Sequence, residues 1–427
     1  MRNWIQSKTN FNVWMIYYLL LGIIQAMWTN MSAFPPLPLR LLMNAAVFFP
    51  MFFKKECVVF GIPFFMILRG QLGTDYQYLP DIHSYNIYIP LLLFLLLIHF
   101  KELSTTYIKV YAPLICLLIY MFIVDILGIS DCGLYVINIF IALLFSLFVT
   151  TQRDCSILST ALILSCAILS VYYIVMYNHF LNIWDVAEGI ERSGWNDPNY
   201  FSTLLGIGLL FGALYLLGFL KYDFILLRPI VLITIIIVTY MAIVLTASRA
   251  GFIASSIILF ISMMCSRRRL SIFIVISLLF CICVVVMYRL GIFDTLMYRM
   301  LEQDNLDTGG GRTTIWLKVI NNFENQPLLN QIFGAGYWHR AELSNGADMH
   351  NEFMAIWTDY GYVGVIIFVL TILSMLFNKY HLHRERTISV LYYLLMIMTL
   401  SPFQYVNVGF LLVWIFSQKL TSVGDSI

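Results

Sequence analysis

Apolar runs separated by short polar breaks repeat along almost the whole chain. A membrane-crossing helix needs roughly 20 mostly apolar residues. Runs near that length fall at about 12–28, 41–53, 57–69, 86–100, 107–127, 134–150, 156–177, 200–219, 225–246, 249–265, 270–289, 354–377, 387–400 and 404–417. Residues 41–69 and 387–417 admit other divisions, so the pattern predicts 11 to 14 spans. The expected fold class is an all-α polytopic membrane protein, one integral membrane domain over residues 1–427. No 20–50-residue repeat interrupts it. Two longer stretches fall outside the runs, at about 178–199 and 290–353. Loops above about 12–15 residues are usually functional or disordered. The second is rich in Trp, Tyr, Gly and apolar positions, which argues against disorder and predicts short amphipathic helices.

Composition turns that pattern into an exclusion. The chain is 61% hydrophobic and 11% charged. Soluble domains carry roughly 25% charged residues, so a soluble fold of this length lacks the polar surface to cover itself. A net charge of +2 makes no case for nucleic acid. Charge also orients the spans. With the N-terminus inside, 16 of the 25 basic residues fall on the cytoplasmic side, as the positive-inside rule requires. Of the 23 acids, 17 fall on the opposite side, together with both long loops. The first apolar run lacks a small-x-small cleavage site and reads as an uncleaved span. The eight cysteines form no C-x-x-C pair and have no His companion, so no metal site is expected.

Four polar features interrupt the apolar pattern. Arg249, in Thr246-Ala247-Ser248-Arg249-Ala250-Gly251, is the only charge between Arg228 and the end of the run at Cys265. Two spans must meet there, which places Arg249 at the outer boundary. Ser248 is positioned to cap the next helix, leaving backbone N–H groups beside a guanidinium, an anion site at headgroup depth. The plainer reading is a snorkelling Arg marking a helix end. Gly309-Gly310-Gly311-Arg312 opens onto Trp316, Val319, Ile320 and Phe323, the apolar face of an amphipathic helix. Lys318, Asn321, Asn322 and Glu324 are expected to face away, and Pro327 limits the helix. This is either a phosphate cradle or a glycine hinge; it is not a P-loop, whose spacing is absent. His350, in Asp348-Met349-His350-Asn351-Glu352, sits where a polar loop re-enters the apolar pattern. His is a poor membrane anchor and a good general base near neutral pH, with Asp348 or Glu352 to orient it. A hydrogen-bonded interfacial His is the alternative. Finally, Trp195-Asn196-Asp197-Pro198-Asn199 reads as a turn capping the following span, with Trp195 available to a sugar ring.

Ionisable residues within the spans are few: Asp125 and Asp359 near outer ends, His99 near an inner end. Coupled carriers place charges near the midplane, so a lipid-linked-oligosaccharide flippase or other transporter fits less well than chemistry at the outer face.

In order, these landmarks resemble the O-antigen polymerase and ligase superfamily of bacterial inner membranes. They are Pro198-Asn199, Ser248-Arg249-Ala250-Gly251, Gly311-Arg312…Trp316, Gly334-x-Gly336, His350-Asn351 and Gly361-x-x-Gly364, spread over roughly residues 190–370. The resemblance implies a glycosyltransferase needing neither cofactor nor metal. It would act at the periplasmic face on a glycan carried by undecaprenyl diphosphate and invert the anomeric centre. Arg249 and Arg312 would bind the diphosphate; His350 would take the acceptor proton. Ser248, Gly311, Asn351, Trp195 and Asn199 are further binding candidates. A polymerase, acting on a lipid-linked repeat unit, is preferred over a ligase, acting on lipid A-core. Implied partners are the lipid-linked oligosaccharide, membrane lipid and a chain-length regulator.

Overall fold

The computed structural model describes residues 2–29, 36–72, 84–99, 105–128, 133–176, 181–182, 192–193, 198–220, 224, 227–265, 285, 288–289, 297, 312–346, 349–376, 384–400 and 406–424. The expected span at 270–289 lies almost wholly outside these residues. Helices account for nearly all the rest. They are α1 (Arg2–Thr29), α2 (Leu37–Phe53), α3 (Lys55–Leu72), α4 (Ser84–His99), α5 (Thr105–Leu127), α6 (Leu134–Ser146), α7 (Gln152–Val175), α8 (Pro198–Leu216), α9 (Pro229–Leu245) and α10 (Arg249–Cys265). After a gap in the described residues come α11 (Arg312–Glu324), α12 (Leu328–Phe333), α13 (His339–Ser344), α14 (Glu352–Leu376), α15 (Arg384–Thr399) and α16 (Val406–Gly424). A two-residue antiparallel pair joins Leu181–Asn182 (β1) to Arg192–Ser193 (β2). The fold is that of an all-α polytopic membrane protein. Among the described residues, five helices are long and apolar enough to cross a bilayer, and six shorter apolar ones accompany them.

The helices fall into two units. The first comprises residues 1–100 and 147–297, the second residues 101–146 and 298–427. Within each, contacts group the helix ends in the way a strict up-and-down alternation demands. In the first unit Lys55, opening α3, donates to Asp154 at 2.7 Å in the first turn of α7. Asp154 is also half of a capping box with Thr151, so one carboxylate closes the α7 terminus and holds α3 beside it. His99, ending α4, lies 2.7 Å from the carbonyl of Met51 near the end of α2. In the second unit Tyr111, early in α5, meets Ser417, late in α16, at 2.8 Å.

The second unit contains a break. Gly361 in α14 has φ 66° and ψ −171°, which is not helical. A broken turn strands carbonyls, and in a membrane these must find partners. Here they do. Ala335 N–H and Gly336 N–H donate to the Asp359 carbonyl at 3.1 and 2.9 Å. The Tyr120 hydroxyl lies 2.9 Å from the Tyr360 carbonyl and 2.8 Å from that of Phe333. The fit admits no side chain: a Cβ on Gly334 would lie 2.3 Å from the Asp359 carbonyl oxygen. One on Gly361 would lie 2.6 Å from the nitrogen of Gly334. The Gly334-x-Gly336 turn and the Gly361-x-x-Gly364 helix are thus two halves of one joint. Gly364 allows close packing, since a Cβ there would meet the Tyr120 ring at 3.3 Å.

Candidate active site

Arg249 is the first residue of α10 in the first unit and is half-buried. The surrounding sequence explains its placement. Ala247 takes a left-handed conformation, φ 51°, which turns the chain sharply out of α9. Ser248 then caps α10 as expected: its Oγ accepts the N–H of Gly251 at 3.2 Å. The same hydroxyl donates to Asn199 Oδ1 at 2.8 Å, tying the mouth of α10 to the mouth of α8. Gly251 is required because a Cβ there would sit 2.0 Å from Ser202 Oγ of α8. Ser248, Asn199 and Gly251 are therefore committed to building the helix start. Arg249 stands at the positive end of the α10 dipole, a combination suited to an anion.

His350 belongs to the second unit and is held between two anchored neighbours. On one side Met349 is buried in a cluster with Val319, Phe323 and Leu343. Its carbonyl accepts the indole N–H of Trp316 at 2.9 Å. On the other side Asn351 caps α14: its Oδ1 accepts the N–H of Met354 at 3.1 Å. Asn351 Nδ2 donates to the carbonyl of Met398, close to the end of α15, at 3.3 Å. Between these two fixed points His350 adopts φ 48°. A bulky non-glycine residue in that region carries strain of about 1–3 kcal/mol and persists only where its surroundings impose it. The imidazole is half-buried. Glu352, one of its two suggested orienting carboxylates, is fully buried in the first turn of α14. Asp348, the other, lies outside the described residues.

Residues 232–369 match the family model described as O-antigen ligase. The segment begins within α9 and ends within α14. It contains Ser248, Arg249, Gly311, Arg312, His350 and Asn351, and Trp195 and Asn199 precede it. The match is consistent with the O-antigen polymerase and ligase superfamily, whose members are membrane glycosyltransferase-like enzymes. No curated protein matches the chain significantly.

Within the matched segment, Arg312 opens α11 and is half-buried. Gly309, Gly310 and Gly311, the rest of the suggested phosphate cradle, lie outside the described residues, as does Trp195. The amphipathic face of α11 is as expected at Val319 and Phe323, which are buried. Asn322 departs from expectation. It does not simply face away but donates to the Leu343 carbonyl at 2.7 Å, bracing α11 against α13. No group of three or more His, Cys, Asp or Glu suited to a metal ion occurs among the described residues.

One constellation escaped the sequence reading. Arg340 is 1% exposed and pairs with Asp359, which is fully buried within α14. The carboxylate also accepts the backbone N–H groups of Arg340 at 2.8 Å and Trp338 at 3.2 Å. The guanidinium donates to the Tyr135 hydroxyl and lies over the rings of Tyr135, Tyr337 and Trp338. Asp125 completes the structure by accepting the N–H groups of Tyr337 at 2.8 Å and Gly133 at 3.2 Å. The two span carboxylates therefore hold the loop ahead of His350 in place. A charge inside a span beside an Arg in the following or preceding loop was the available signal.

Proposed function

We propose that this chain is a surface-polysaccharide polymerase. It transfers a growing glycan from undecaprenyl diphosphate to a hydroxyl of a lipid-linked repeat unit, at the periplasmic face of the inner membrane. The observation that carries this reading is His350. It is a titratable residue in a strained backbone conformation, locked between a buried neighbour and a helix cap, within the segment that matches a glycan-transfer family. Such residues cluster at functional sites, and a positioned imidazole is suited to accept a hydroxyl proton.

In this reading His350 draws the proton from the acceptor hydroxyl as its oxygen attacks the anomeric carbon. The bond to the diphosphate breaks on the opposite face, inverting the centre. The departing diphosphate gains negative charge, which Arg312 stabilises from the first position of α11; Arg249 offers the same chemistry at the start of α10. The lipid diphosphate is itself the activated donor, so no nucleotide sugar takes part.

A ligase that transfers the glycan to lipid A-core is the second reading, favoured by the description of the matching family. Electrophoresis of surface polysaccharide from a deletion strain separates the two. A core bearing single repeat units is expected for a lost polymerase. An unmodified core with polymer accumulating on its lipid carrier indicates a lost ligase, and normal ladders would refute both.

A further inference from the structure

Twelve residues before His350, the loop presents an aromatic side chain that the catalytic reading does not use. Trp338 is 45% exposed, yet nothing about it is loose. Its backbone is left-handed, φ 70°, an outlier for so bulky a residue. Its N–H is fixed by the buried carboxylate of Asp359 at 3.2 Å. Its ring rests on the Arg340 guanidinium, 4.6 Å from the ring centroid, and tilts against Tyr337 at 5.7 Å. Arg340 is itself clamped by Asp359. An indole is thus held rigidly from one side while much of its surface stays open.

Polar residues follow Trp338 along the chain. Glu342, four residues on, has a side chain 79% exposed. The Nδ1 of His339 lies 3.1 Å from Glu342 Oε2, which steers the carboxylate while leaving its other oxygen to accept elsewhere. The His339 ring is 11% exposed and so acts as a support for Glu342. Asn345 and Gly346 just beyond are exposed. The apolar side chains of α12, Leu328, Leu329 and Phe333, lie on an earlier element.

A rigid aromatic face at the start of a helix that carries an exposed carboxylate four residues on supplies the two chemistries that recognise a pyranose ring. The C–H groups of one sugar face carry partial positive charge and pack on the electron-rich indole face. The equatorial hydroxyls at the ring edge donate to the carboxylate. We propose that Trp338 and Glu342, supported by His339 and Arg340, form a sugar-binding subsite for the glycan. This rests on the glycan-transfer reading above and names a recognition element for it. Trp338 and Glu342 bind substrate; Arg340 and His339 are positioning residues.

The test measures binding without turnover. Full-length protein in nanodiscs is titrated with the soluble repeat-unit oligosaccharide released from the strain's own polysaccharide, using saturation-transfer NMR and calorimetry. Trp338→Ala is expected to weaken binding about tenfold, the scale of one aromatic contact. Glu342→Gln, an exposed change that leaves folding untouched, is expected to weaken it several-fold. Wild-type affinity in both variants would overturn the subsite. A membrane-anchoring role predicts instead that brominated lipid quenches the Trp338 fraction of emission. Identical quenching in wild type and Trp338→Phe is expected, and a loss of quenching in the variant would overturn the proposal. Because no donor is present, binding lost in Trp338→Ala supports the subsite even if His350→Ala proves active. Turnover lost in His350→Ala with binding unchanged in Trp338→Ala refutes the subsite alone.

Discussion

The starts of α10 and α14 are built by the same device and use it differently. Each has a left-handed non-glycine residue, Ala247 in one and His350 in the other. Each has a cap side chain that accepts the N–H three residues on, Ser248 from Gly251 and Asn351 from Met354. Each cap also donates to a different helix of its own unit, Ser248 to Asn199 and Asn351 to Met398. The difference lies in where the charged or titratable residue falls. Arg249 follows its cap and so occupies the helix itself, at the positive end of the dipole. His350 precedes its cap and is the left-handed residue itself. A cation placed after the cap shares its helix's N-terminal field and suits an anionic ligand. A base placed before the cap is held by backbone strain and two neighbours. In the proposed function one construction thus serves two roles.

That comparison breaks first at His350. His350→Ala is expected to abolish long-chain polysaccharide, with a fall of about 10²- to 10⁴-fold in transfer rate and normal membrane insertion. Unaltered chain-length ladders would remove His350 from the chemistry. Next come the arginines. Arg249→Lys is expected to cost about tenfold or more in transfer, because an ammonium does not reproduce a bidentate diphosphate contact. Full activity with Lys would reduce Arg249 to a mere positive charge. Arg312→Ala is expected to fall similarly, read by the same ladders.

Stability separates the supporting structure from the site. Asp359→Asn leaves the buried Arg340 guanidinium uncompensated, a loss of about 3–5 kcal/mol. A large drop in the thermal midpoint of the detergent-solubilised protein, with loss of folded protein, is expected. Smallest is the cap itself. Ser248→Ala and Asn351→Ala should each cost about 1 kcal/mol. If the comparison holds, Asn351→Ala also releases His350 and lowers transfer by more than its stability loss explains. Ser248→Ala leaves Arg249 on its helix and changes transfer little. Equal effects of the two caps would show that position relative to the cap does not matter.

The helices were legible because apolar runs of membrane length admit few other structures. The Ser248 cap was legible too, since a Ser directly before an apolar run is a local signal. The break at Gly361 was not foreseen, because it depends on the Gly334–Gly336 turn arriving to satisfy the stranded carbonyl of Asp359. Periodicity placed Val319 and Phe323 in the core of α11 but misjudged Asn322, whose partner on α13 lies 21 residues away. The Arg340–Asp359 pair was hidden for a related reason. Each residue alone reads as an ordinary loop charge and a helix-end acid, and only the fold of the loop onto α14 brings them together.

The most direct measurement is single-turnover glycan transfer by the purified protein in proteoliposomes, with lipid-diphosphate-linked repeat units as donor and acceptor. Wild type should form one glycosidic bond for each undecaprenyl diphosphate released, and His350→Ala should bind the same donor yet release almost none. Transfer at the wild-type rate by His350→Ala would contradict the account.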